Sequence, residues 1–302
     1  MIKSFKYLTP FVLYVLTLAA FNGNGLLCWL PLLYTFFLIP FAELFIKADP
    51  RNLDEVEEAL AKKNKAYDFI LYAAVIMQYY SLWVFFNSLK QEQLSTIDII
   101  GRVLSMGLLC GAFGINVAHE LGHRKKNAER LLAWLLLLPS FYMHFYIEHN
   151  RGHHKNVSTP LDPASAEKGE SLYRFWARST IGGYVSAWRI QKKLLLKGEK
   201  SFFSLENEML FFHFVELIYV FLIGFLFGIK ILGWVALAGV IGFLLLETIN
   251  YVEHYGLHRR KLDNGRYERT THLHSWNSDY ALSNLMLFQL QRHSDHHAFP
   301  KR

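Results

Sequence analysis

Long apolar runs separated by short polar hairpins set the character of this chain. Apolar side chains dominate residues 8–21, 26–46, 67–86, 97–118, 209–227 and 231–249. A helix needs about 20 such residues to cross the hydrocarbon of a bilayer, and all but the first run approach that length. The pattern predicts an all-α integral membrane protein with six transmembrane helices in three hairpins. A seventh apolar stretch, residues 131–147, has histidines on both sides. A single crossing would part them, so this stretch is expected to be re-entrant or interfacial and shielded by protein. Residues 171–196 are amphipathic, with Trp176, Trp188, Arg174, Arg178, Arg189, Lys192 and Lys193. That segment is expected along the headgroups.

Charge sharpens the topology. Of 32 Lys+Arg, only Lys90, Arg102 and Lys230 fall outside residues 1–9, 47–66, 119–208 and 251–302. With six spans those four segments share one side, and the basic bias places that side, the N-terminus and a histidine-rich cap in the cytoplasm of a multi-pass inner-membrane protein. The net charge of +7 is thus a topology signal, and nucleic acid is not an expected partner. Cys28 and Cys110 lie inside apolar runs, which leaves neither a disulfide framework nor a cysteine metal site. The first run lacks a small-residue cleavage site and a second run follows it, as in an anchor rather than a signal peptide. No repeat or linker interrupts residues 1–302, which read as one membrane-embedded domain.

The chemistry lies where the apolar runs end. Eight of the 14 histidines form three clusters: His119 and His123, then His149, His153 and His154, then His293, His296 and His297. A ninth, His254, follows the last run. Neutral imidazole is a common transition-metal ligand. Nine are too many for one ion and suit two, with positions left open for an oxidant. His119-Glu-Leu-Gly-His123 also has the zincin spacing, with Glu120 as general base. Zinc takes three or four protein ligands, however, which would leave five or more histidines unexplained. A metal transporter would carry its ionisable residues at mid-span, whereas these clusters sit at helix ends. Glu43 and Glu247 are the near-span acids, both toward helix termini.

The strings HELGHR (119–124), EHNRGHH (148–154), NYVEHYGL (250–257) and LQRHSDHHA (290–298) resemble the integral-membrane alkane 1-monooxygenase family, as do residues 158–179 and HSWNS (274–278). The first two strings would also fit membrane fatty-acid desaturases and hydroxylases; the last two are shared mainly with xylene-type methyl hydroxylases. The resemblance implies a di-iron enzyme that uses O2 to hydroxylate the terminal methyl of medium-chain n-alkanes, with electrons from rubredoxin and its reductase. Its implied iron ligands are His119, His123, His149, His153, His154, His254, His293, His296 and His297. His258, four residues after His254, is not required by the motif. Imidazoles bring no negative charge, so Glu120, Glu148, Glu253 and Asp295, beside the ligands, are candidates to offset the charge of the metals from behind them. Asp162 and His274, in family-like strings, are candidates for the same position. The chain stops five residues after His297, where relatives usually continue, so the usual C-terminal tail is expected to be missing. On a regular helix Ile115, Ala112 and Leu108 share the face of His119 and are expected to line the substrate channel. Gly107, Gly111 and Gly114 are expected to serve close helix packing.

Overall fold

The computed structural model describes residues 6–51 and 63–298. They are mainly helical; among them the only extended pairing is an isolated antiparallel bridge between Lys261 and Tyr267. Five helices are long and apolar enough to cross a membrane. They are α2 (Gly25–Glu43), α3 (Ala66–Ser88), α4 (Thr96–Gly122), α8 (Glu208–Phe227) and α9 (Ile229–His254). The first apolar run forms only α1 (Phe11–Asn22), whose 12 residues rise about 18 Å. It starts after Pro10 and ends at Gly23, which makes it shorter than the other five. The run still links both ends of the bundle. Tyr7 accepts a hydrogen bond from Gln289 near the histidines (2.6 Å), and the Gly23 carbonyl accepts one from Arg102 at the far end (2.8 Å).

That far end is held by one side chain. Arg102 is fully buried and its guanidinium donates to the carbonyls of Gly23 and Ser88 and to the side-chain oxygens of Asn24 and Gln91. Both polar hairpins are thereby tied to α4. Ser95 and Asp98 cap the start of α4 reciprocally, which satisfies amide groups that the helix itself leaves open.

The residues after α4 turn back instead of crossing. α5 (Asn127–Leu137) runs into a short 3-10 turn, Leu138–Ser140, and Phe141 then takes a left-handed conformation (φ 52°). The chain returns as α6 (145–156). The tip of this re-entrant loop rests on α9, where a Cβ at Gly239 would stand 2.7 Å from the Pro139 carbonyl. A Cβ at Gly111 would likewise meet the Gly242 carbonyl at 2.7 Å, so these glycines let α4, α9 and the loop approach more closely than any side chain would allow. The reversal brings α6 back to the end of α4. α7 (Leu172–Lys197) then lies over α6, burying one stripe at every fourth residue from Phe175 through Ser179, Gly183 and Ala187 to Gln191 and Leu195. Its opposite face, with Arg174, Arg189, Lys192 and Lys193, is exposed or half-exposed. Two short helices, α10 (Ala281–Met286) and α11 (His293–Ala298), close the histidine end.

Candidate metal centre

Four elements deliver imidazoles to that end: α4 with His119 and His123, α6 with His149, His153 and His154, α9 with His254, and α11 with His293, His296 and His297. They divide into two groups, and ligand atoms within each lie no more than 4.8 Å apart. The first is His119, His123, His149, His154 and His296; the second is His153, His254, His293 and His297. A π-helical turn over His149–His153 decides the division within α6. It widens the turn so that His149 faces His154, five residues on, and His153 points to the other group.

Spacing within the groups is that of ligands around an ion. In the first group, Nε2 of His123 is 3.2 Å from His119, 3.3 Å from His149 and 3.2 Å from His154. His119–His296, His296–His154 and His154–His149 follow at 3.1, 3.1 and 2.9 Å. Nitrogens at right angles on a metal with bonds of about 2.1 Å would stand about 3.0 Å apart, and tetrahedral ones about 3.4 Å. The rings of His149 and His296 are 6.3 Å apart and within 14° of parallel, as ligands on opposite sides would be. The five nitrogens therefore converge on one space that an ion would fill. In the second group Nε2 of His297 stands 3.2 Å from His153 and 2.8 Å from His293.

The proton positions fit as well. His254 Nδ1 donates to the His274 carbonyl (3.2 Å), which leaves its buried Nε2 a lone pair and no protein partner. His153 Nδ1 donates to Asp162 (2.9 Å), itself held by the Ser165 hydroxyl. Lone pairs aimed at one another repel unless a cation takes them, so the donor set fits two transition-metal ions.

Residues 99–302 match the fatty acid desaturase family. The chain is 40% identical over 281 residues to alkane 1-monooxygenase 2 of Pseudomonas aeruginosa, an alignment covering 91% of this chain and 73% of that protein. It is 38% identical over 285 residues to the alkane 1-monooxygenase of Ectopseudomonas oleovorans, covering 94% and 71%. The chain belongs to the alkane 1-monooxygenase family. It is an oxidoreductase of the monooxygenase type. A xylene/toluene monooxygenase hydroxylase component of Pseudomonas putida is 30% identical over 222 residues, covering 72% of this chain and 58% of that protein.

Within this family member the acids beside the ligands play different parts. Asp162 orients His153, and His274 orients His254 through its backbone carbonyl. Glu253 Oε2 lies 3.3 Å from Nε2 of His293, so it stands on the metal-facing side of that ring and not behind it. Glu120 is half-exposed and bound to Arg124. Glu148 is buried beneath α7 and accepts from Ser186 (3.4 Å), and Asp295 is half-buried on α11. His258 is exposed and belongs to neither group.

Two cavities adjoin the centre. One, between α4, α9 and the segment that joins α10 to α11, has walls of Ala112, Leu246, Ile249, Leu287 and Leu290, with His119, His149 and His293 at its head. Of the expected channel face only Ala112 is there; Ile115 and Leu108 are buried in the apolar cores on either side of α4. A π-helical stretch, Cys110–Ile115, rotates the face by a residue and brings Gly111 and Asn116 into the wall instead. The second cavity is polar and touches His149 and His153 from the other side. Its Tyr142 and Asn250 are not singled out by the sequence, and Glu247, noted there only as a near-span acid, stands seven residues before His254 and shares its helix face.

Burial sets the protonation of the imidazoles outside the spans. It pushes His123 down to about 4 and His296 down to about 3, and holds His149, His293 and His297 well below the usual range. His153 goes the other way: burial disfavours its charge, but the carboxylates of Asp162, Glu148 and Glu247 together more than offset that. Lowered values mean that the unfolded chain binds more protons than the folded one below the ordinary histidine pKa of about 6.5. Their contribution to stability is present above pH ~6.5 and is lost toward pH ~4, where His123 protonates; His153 opposes this as one group against several. Metal-free protein is therefore expected to unfold at a lower temperature at pH 5 than at pH 7. A pH-independent melting temperature in detergent would show that these rings are not buried and neutral.

Proposed function

We propose that this monooxygenase hydroxylates the terminal methyl of medium-chain n-alkanes at two iron ions held by the nine histidines, with O2 as co-substrate and rubredoxin, served by its reductase, as electron donor. The observation that carries this reading is the two-group imidazole site at the head of a largely apolar cavity. The relatives named for alkane oxidation support the substrate class. A methyl C–H offers no acidic proton and no electrophile, so side-chain acids, bases and nucleophiles have nothing to act on. Bound iron would supply the activation of O2 that they lack. The protein supplies position. An interior methylene C–H is weaker than a methyl C–H, so terminal selectivity requires that Ala112, Leu246 and Leu290 hold the chain with its end toward His119 and His149.

The basic bias of the histidine-bearing segments supports an inner-membrane setting with the centre in the cytoplasm. Rubredoxins are generally acidic, and Lys125, Lys126 and Lys155 are exposed near the centre. Arg124 and Arg151 are engaged by Asp68, Glu120, Glu129 and Glu208, and Lys126 pairs with Glu129, which leaves Lys125 and Lys155 as the exposed charges best placed to steer a partner.

Purified protein in lipid, given a ladder of n-alkanes under ¹⁸O₂ with rubredoxin and its reductase, is expected to yield 1-alkanols carrying one labelled oxygen. Alkenes, or alcohols without label, would refute the reading. The same ladder tests the cavity. Ala112→Phe is expected to shorten the longest alkane accepted without lowering iron content. A uniform loss across all lengths would mean that Ala112 only packs.

A further inference from the structure

We propose that the polar cavity beneath α7 is the route by which protons reach the metal centre, with Glu247 as the relay residue. The inference rests on the alkane reading above, whose balance is R–CH3 + O2 + 2 H⁺ + 2 e⁻ → R–CH2OH + H2O. A one-electron carrier protein brings the electrons. The protons must cross protein to reach the buried group of His153, His254, His293 and His297.

Several observations converge on the second cavity. It has room for about one ordered water and is lined by Tyr142, His144, Ser179, Glu247 and Asn250, with His149 and His153 of the centre in its wall. Glu247 is 3% exposed and has no cation partner among the described residues. Its Oε1 accepts a hydrogen bond from the Tyr142 hydroxyl (2.8 Å), while its Oε2 has no partner of good geometry. His144 also lines the cavity, is buried, and has an unpartnered Nε2. Two buried polar atoms without partners in one cavity are what an ordered water satisfies.

The outer end of the route is equally defined. The His144 ring is 4.5 Å from Tyr142 on one side and 5.3 Å from Tyr184 on the other, centroid to centroid. Tyr184 is 37% exposed, and its hydroxyl pairs with His213 Nε2 at 2.9 Å. From the surface inward, His213, Tyr184, His144 and the Tyr142–Glu247 pair are a series of groups able to take and give a proton, joined by hydrogen bonds at either end and by ring contacts at His144, where a water would have to bridge. A buried acid whose only task was to balance the charge of the metals would need neither the water-sized space nor the exposed terminus.

The experiment compares native protein with Glu247→Gln and Gly183→Ala, reading iron content, hydrogen peroxide released per alcohol formed, and the solvent deuterium isotope effect on alcohol formation. Gly183 is in the cavity wall, and a Cβ there meets only Glu148 Cγ, at 4.0 Å, so alanine fits and is the better helix former, yet takes up water space. Both variants are expected to keep native iron. Glu247→Gln is expected to slow alcohol formation at least tenfold, divert reduced oxygen to peroxide and raise the isotope effect, since positioned acid–base groups are commonly worth about 10²–10⁴-fold. Gly183→Ala should shift peroxide and isotope effect in the same direction. Native peroxide yield and isotope effect in both variants would overturn the proposal. So would a Glu247→Gln protein that loses iron while its remaining centres stay fully coupled, because that outcome assigns Glu247 to charge balance. Absence of alcohol from native protein would instead count against the alkane reading.

Discussion

Replacing His254 with alanine is expected to reduce bound iron and abolish alkane oxidation, whereas replacing His258 is expected to leave most of both. The two histidines are one helical turn apart in sequence, and spacing alone does not separate them. In the fold they part company. α9 ends at His254, whose Nε2 is buried beside His153, His293 and His297 with no protein partner, and the chain then leaves the helix so that His258 is exposed. Loss of one ligand from the four-histidine group leaves three, in a cavity that water would have to fill. Iron analysis and alcohol yield on the purified variants check this. Iron loss in His258→Ala with native iron in His254→Ala would reverse the assignment.

The second large effect lies at the opposite end of the bundle. Arg102→Met is expected to destabilise the protein by at least about 1–3 kcal/mol, the usual cost of leaving a buried acceptor unpaired. Methionine fills the stem but cannot donate, so the carbonyls of Gly23 and Ser88 and the side chains of Asn24 and Gln91 lose the group that joins both hairpins to α4. Arg102→Lys should rescue only part, since one ammonium cannot span acceptors that the planar fork reaches together. Thermal unfolding in detergent gives the comparison. An unshifted transition for Arg102→Met would mean that water can replace the guanidinium there.

Much of this molecule was legible in its sequence, for reasons that can be traced to particular residues. Hydrophobic runs of bilayer length are a strong signal, and five of the six became full-length helices. The re-entrant turn followed from a constraint and not from a motif: His119 and His149 had to meet, and Phe141 is where the chain reverses. Which imidazole joins which group was not legible. Regular helices pair His149 with His153 and put Ile115 in line with His119, and π-helical turns at His149–His153 and Cys110–Ile115 undo both pairings. Such turns are favoured when tertiary contacts outweigh local helix geometry, and no local residue pattern announced them. Glu253 was expected behind a ligand and stands at its metal-facing nitrogen, because the end of α9 turns it toward α11. The short first helix follows from Pro10 and Gly23, which bound it more tightly than its hydropathy implied.

The most direct measurement is the metal content of native protein purified without added metal and assayed for iron and zinc together. Two irons per chain are expected, both lost in proportion when either histidine group is disrupted, by His297→Ala in one or His154→Ala in the other. A single zinc per chain, or one iron that survives loss of either group, would contradict a two-metal centre built from nine histidines.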